Sequence, residues 1–558
     1  MNHRVPFFRL ALPRFVGSRF VGAASLVACA ALAGCATEVA APASSEDDLT
    51  SNTALARTLT FNGAVYVSTS ASDSSILYAM KSQTQSAFGA LREANVGVNS
   101  RELKDIDIKT WKKAPVTVFD TKNAADKGTP MLRVEYTFTD TAVVPKSMSK
   151  KSALPLAVLG TNYSSQAKRV FDECTTGDHH AQEFMNGSLW YVFNPALSKC
   201  KTAMTAEQKA IDAEKGKLPK PAVAGTVYVP KAELDRLYIP TTMRLSGNKT
   251  NKGTSWPEYD RLWTGGVQKN KIVIGMVSGM MADWAAGEKH DPIDDDGYRM
   301  WFEGLRAIFK ARPGFKVTAN SNKQDLTTYT VGSTTVKGVT FDQIMSWELE
   351  SSSWPAGITT YDQKKQLRVA VGNKLIKNWI TFQVPVKVKI GSKAEQTVTV
   401  ELNSYFGAEG DATPHKKAIK NSDVFVYNGH SYIGYGPLDP KNFSSSDFPS
   451  SYQIMFINSC VSYNYYEKDY WALKSGGSAN LELVTNGLES WVAGSGAAMG
   501  RFVGALVSGT QPSYSQLLKA AEFTYSDYGY DWGMDALRVV DGELDNKYKP
   551  TTTPIVVK

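Results

Sequence analysis

Cysteine is scarce: five in 558 residues, and two of them, Cys29 and Cys35, fall in the first 35 positions. The remaining three are too few for a disulfide-built scaffold. Past that leading stretch no segment is long and apolar enough to span a bilayer. No internal repeat is visible, which removes solenoids and arrays. No basic stripe interleaves with aromatics, so nucleic acid is not an expected partner. Histidine is also sparse, with six residues. The His179-His180 pair has no further ligands at metal-site spacing and reads as a polar pair facing solvent. In Gly494-Ser-Gly-Ala-Ala-Met-Gly500 the third glycine comes one residue late for a dinucleotide loop, and no lysine follows for a P-loop. Close packing of a strand on a helix accounts for it better.

What is present begins with an address. Arg4, Arg9, Arg14 and Arg19 precede an apolar run, Val21–Ala33, with no acidic residue before it. That is the form of a secretory signal. Its end, Leu32-Ala-Gly-Cys35, resembles the bacterial lipobox. The resemblance implies cleavage before Cys35, lipidation of Cys35 and, with Ala36 next, sorting to the outer membrane where the cell has one. The alternative is an ordinary signal peptide with an incidental cysteine. Loss of residues 1–34 removes four arginines and lowers the formal charge from +8 to +4. Residues 35–55, rich in Ala, Ser and Pro, read as a flexible tether. In an oxidising compartment Cys174 and Cys200 are the expected disulfide, which leaves Cys460 odd. That thiol is either reactive or a packed, inert cysteine.

About 500 residues exceed one core and suggest separate domains. Residues 56–265 read as an α+β domain of unassigned role, with strands at Thr58–Ser68 and Met131–Thr139 and helices at Ser75–Ala94 and Met204–Lys215. Residues 266–558 read as α/β. Lys271–Gly279 is a continuous apolar run suited to a strand buried on both faces. Gly297–Lys310 has helical spacing, Phe315–Ala319 is strand-like, and Thr340–Glu350 is again helical, a rhythm that signals a parallel sheet. Trp379–Ile390 and Gln396–Leu402 alternate around Gly391 as a hairpin. This hairpin is expected to be an insertion, about 367–404, on the α/β frame. Val424–Tyr427 and Ile454–Ile457 resume the strands. Leu481–Asn486 reads as a helix end, Ser490–Ala493 as a short strand, and Ala497–Leu506, Tyr514–Tyr525 and Gly533–Val540 as helices.

Two strand-like runs end on reactive side chains: Tyr427-Asn-Gly-His430 and Ile457-Asn-Ser-Cys460. In a parallel sheet the carboxyl ends of neighbouring strands share one crevice, and an imidazole beside a thiol can favour the nucleophilic thiolate. Ser431–Tyr452 is long enough for a parallel crossover but turn-rich, so the adjacency of the two strands is the open point. These motifs resemble the caspase-like cysteine peptidases, and Asn458-Ser-Cys-Val-Ser462 is similar to the metacaspase pattern Asp-Ser-Cys-His-Ser. The likeness covers roughly residues 270–510.

It implies a mostly parallel sheet flanked by helices, Cys460 as nucleophile and His430 as general acid/base. It also implies an oxyanion site from backbone N–H groups at Ser431 and Cys460, and peptides or proteins as substrates. Asn458 would line the substrate pocket, at a position where metacaspases carry an acid. Ser431 stands where the family usually has glycine. An inactive relative, serving as a binding or scaffold lipoprotein, is the rival. No cofactor is expected. His290–Glu303 resembles part of a calcium loop, with Asp294, Asp296 and Glu303 as candidate ligands. Pro292 occupies its first position, and the alternative is an acidic helix start. The sequence leaves the oligomeric state open.

Overall fold

A computed structural model describes residues 49–558 except 100–105, 186, 222–224, 252, 283–289, 350–352, 409, 467, 491 and 523–535. The signal segment, Cys35 and most of the expected tether lie outside the described residues. The fold is α/β with mixed sheets.

The chain enters through β1 (Leu49–Thr50) and then builds a smaller sheet. That sheet takes β2 (Ala54–Ser68), β3 (Gly97–Val98), β4 (Lys112–Phe119), β5 (Thr129–Pro145), β6 (Ala153–Leu159), β7 (Val227–Pro230) and β8 (Tyr238–Ser246). Its order is β6-β8-β2-β5-β4-β7, with β3 beside β5. The chain then runs through β9 (Lys271–Gly279), β10 (Lys316–Asn320), a separate pair β11 (Tyr329–Val331) and β12 (Thr334–Val336), β13 (Ile380–Ile390) and β14 (Gln396–Ala408). It closes with β15 (Val424–Asn428), β16 (Gln453–Asn458), β17 (Leu481–Asn486), β18 (Arg538–Asp541) and β19 (Ile555–Val557). The larger sheet has ten strands in the order β1-β18-β17-β16-β15-β9-β14-β13-β10, with β19 on β13.

In the larger sheet β17, β16, β15, β9 and β14 run parallel, and each strand outside them pairs antiparallel with its neighbour. Every residue of β15, β16 and β17 is buried, which is why these strands read as unbroken apolar runs. Their side chains alternate between two cores. Phe425, Tyr427, Met455, Ile457 and Leu483 join the core of the N-terminal region. Val424, Val426, Ile454, Phe456 and Val484 face the opposite core, under helices Asp296–Ala311 and Val492–Leu506.

Those two helices approach closely because glycines line the contact. A Cβ on Gly496 would stand 2.0 Å from the Met300 carbonyl oxygen, and one on Gly500 would stand 2.3 Å from that of Gly304. The glycine motif at 494–500 therefore packs helix on helix, not strand on helix.

Several expectations need correction. The hairpin is no insertion: β14 pairs with β9 from Thr399↔Lys271 to Ala408↔Gly279, inside the main sheet. Leu481–Asn486 is a strand, and so is Arg538–Asp541. Ser490 lies in no strand, and a helix starts at Val492. Leu49–Thr50 pairs with Val539–Val540 and caps the β18 edge, so the expected tether ends before residue 49. The Cys174–Cys200 disulfide is formed, with Cα atoms 4.6 Å apart.

Candidate functional site

Three adjacent parallel strands each end on asparagine: Asn428, Asn458 and Asn486. Asn428 is in register with both Asn458 and Ser278. His430 and Cys460 therefore stand two residues beyond one register pair, on neighbouring strands. From β9 the chain moves to one side, through β10, β13 and β14, before β15 returns on the other. The carboxyl ends of β9, β15 and β16 thus flank a topological switch point, where open α/β sheets place their ligands.

The asparagines tie this end of the sheet together. Asn458 Nδ2 donates to Asn428 Oδ1 at 2.8 Å and to Ser495 Oγ at 2.7 Å, while Asn486 Nδ2 donates to Asn458 Oδ1 at 3.0 Å. Ser495 Oγ donates to Asn428 Oδ1 at 2.8 Å. Asn458 has no exposed surface, and its amide is consumed by this network. Its surroundings favour a strand-tying role over the pocket-lining role expected from its position.

Just past each reactive residue the backbone turns left-handed. Tyr432, Ile433 and Gly434 have φ of 50°, 53° and 76°, and Val461 has 51°. Positive φ in β-branched Ile433 and Val461 is a marked outlier that costs on the order of 1–3 kcal/mol each. Such strain concentrates where a turn must aim a group. Val461 N–H donates to Leu488 O at 3.0 Å and Ser459 N–H to Ile457 O at 3.0 Å. Among the described residues the N–H groups of Ser431 and Cys460 have no backbone acceptor. Ser431 has φ −79°, a conformation open to any residue, so the serine there brings no strain.

Both the ring and the backbone of His430 are held. His430 Nε2 lies 3.3 Å from the Met281 carbonyl, just past β9, and the His430 carbonyl accepts from Tyr427 Oη at 2.9 Å. Because a carbonyl only accepts, this contact favours the tautomer with the proton on Nε2.

The thiol is turned elsewhere. Cys460 Sγ sits 3.8 Å from the Ser490 carbonyl and 3.9 Å from Ser490 Oγ. Burial pushes its pKa up to about 11, and Glu489 adds to the rise, against smaller lowering effects from Ser490 and Arg92. Cys460 keeps partial exposure as a residue, but its sulfur is desolvated. In this conformation the protonated form of the thiol is favoured, with Ser490 beside the sulfur.

The N-terminal region reaches the same place. Arg92 forms an ion pair with Glu489 and lies 4.7 Å over the Tyr191 ring. Phe88 stacks on Tyr465 with centroids 6.3 Å apart. Sequence reasoning assigned residues 56–265 no chemistry. No local signal marks Arg92, which acquires its place only through the tertiary fold.

The acidic segment resolves as a helix start. Asp294 and Asp296 are exposed, while Glu303 is buried and accepts from Arg299 Nε at 3.1 Å. Among the described residues no group of three or more His, Cys, Asp or Glu side chains is placed to hold a metal ion. The cap is Asp295, which the sequence reading passed over. Its carboxylate accepts from Gly297 N–H at 2.7 Å. His179 pairs with Glu183 at 3.1 Å along one helix.

No protein-family model matches the sequence, and comparison with curated proteins and with solved structures gave no match.

Proposed function

We propose that this chain is a cysteine peptidase of caspase-like type, using Cys460 and His430. The observation that carries the reading is the parallel pairing of β15 with β16 in the Asn428↔Asn458 register. It brings the two reactive residues to equivalent positions past neighbouring strands, with a left-handed turn after each.

The chemistry requires the thiol to rotate from Ser490 toward the imidazole. His430 Nδ1 then takes the thiol proton, and Sγ attacks the peptide carbonyl carbon. The resulting oxyanion accepts hydrogen bonds from the Ser431 and Cys460 N–H groups. His430 passes the proton to the leaving nitrogen, the C–N bond breaks, and a thioester remains. Water, deprotonated by the same nitrogen, hydrolyses the thioester and restores the thiol.

On this reading Cys460→Ala and His430→Ala each lower hydrolysis of a fluorogenic peptide panel by about 10²-fold or more, with thermal unfolding unchanged within a few degrees. Undiminished turnover in folded Cys460→Ala would contradict it. The N-terminal segment supports export, with lipid on Cys35 anchoring the domain to the outer membrane. Mass spectrometry of the membrane fraction should find acyl mass on Cys35 that is lost in Cys35→Ser.

One observation favours a second reading, an inactive binding or scaffold lipoprotein. The thiol is held high in pKa and bonded to Ser490, as an inert cysteine would be. Under that reading both variants behave as wild type in every assay.

A further inference from the structure

We propose that Asp295 acts on His430 through a single peptide plane, making it a positioning residue for the imidazole. The inference rests on the Cys–His reading for its catalytic meaning, while its geometry stands apart from it. The Asp295 carboxylate is buried and gathers backbone donors from two segments. It accepts from Met281 N–H at 3.0 and 3.1 Å, from Ala282 N–H at 2.9 Å and from Gly297 N–H at 2.7 Å. The Ala282 N–H belongs to the same peptide unit as the Met281 carbonyl, and that carbonyl meets His430 Nε2 at 3.3 Å.

In a planar trans peptide the N–H and C=O point in opposite directions. A carboxylate fixed on one side therefore fixes where the carbonyl aims on the other. The order is Asp295 carboxylate, Ala282 N–H, Met281 C=O, imidazole N–H. Each bond polarises the next, with Asp295 and Met281 both buried, so the acid strengthens the acceptor that fixes the imidazole's tautomer. A directly bonded carboxylate does this in serine peptidases; here one peptide stands between the acid and the ring. The helix explains why the acid is rigid. Asp295 caps Asp296–Ala311, which is held against the Val492–Leu506 helix by the glycine contact at Gly496 and Gly500.

The test uses full-length protein with 15N-labelled histidine, His430 being assigned by its loss in His430→Ala. Wild type is expected to show His430 with the proton on Nε2. Asp295→Asn keeps the shape but removes the charge. Ala282→Pro removes the one N–H of that peptide and leaves Asp295 its other two donors. Both are expected to populate the Nδ1–H form and to slow peptide hydrolysis by about tenfold or more.

A pure Nε2–H imidazole in either folded variant overturns the proposal. So does slowed turnover without a tautomer change, because that leaves Asp295 a loop anchor only. If Asp295→Asn does not fold, Ala282→Pro decides alone. Unchanged turnover in His430→Ala would instead defeat the dyad, whatever the tautomer measurement finds.

Discussion

His415, behind the candidate site, makes the stability of the fold sensitive to acid. Its ring lies 5.1 Å from that of Tyr427, whose hydroxyl holds the His430 carbonyl. Burial lowers its pKa from 6.5 to about 4. The folded state thus keeps this imidazole neutral while the unfolded state takes up a proton below 6.5. Its stability contribution is complete above pH 6.5 and is lost as pH falls toward 4, by about 3 kcal/mol in all.

Asp423 works in the opposite direction. Burial raises its pKa to about 6, so its contribution is present below its ordinary carboxylate range and lost as pH rises to 6. Urea denaturation across pH 4–7 should show His415→Phe flattening the acid-side loss relative to wild type, and parallel profiles would refute that assignment. Residues of this kind are hard to read in sequence. His430 and Cys460 were legible because each ends an apolar run. The role of His415 depends on burial, and that of Arg92 on a neighbour almost 400 positions away.

At the scale of elements, strand ends matter more than strand centres. The asparagine network joins β15, β16 and β17 where the reactive residues emerge. Asn458→Ala would leave Asn486 Nδ2 without one of its acceptors and open a small void. The expected cost is about 1–3 kcal/mol, seen as a lower melting temperature with the fold retained, and an unchanged melting temperature would count against the network.

The continuous run at β9 and the β13–β14 hairpin were legible from pattern alone. Strand β17 was not, because Glu482, Thr485 and Asn486 are buried polar residues that break the apolar signature of a central strand. The hairpin's place in the main sheet was equally hidden. Its parallel pairing with β9 joins residues about 130 positions apart, and local alternation says nothing about such a partner.

At the scale of the whole molecule, the N-terminal and C-terminal regions share a hydrophobic core. Side chains of β15, β16 and β17 enter the same core as Leu59, Phe88 and Trp190 of the N-terminal region, and β1 completes the sheet edge at β18. Calorimetry is expected to give one cooperative unfolding transition for both regions, whereas two separated transitions would show independent domains. Reducing Cys174–Cys200, which closes 26 residues, should cost roughly 3 kcal/mol and lower that single transition without splitting it.

The most direct test of the central claim is peptide hydrolysis by wild type, Cys460→Ala and His430→Ala, measured side by side on one substrate panel. The expected result is turnover in wild type and background rates in both folded variants. Turnover that survives either substitution, or none in wild type on any peptide, would contradict a Cys460–His430 peptidase.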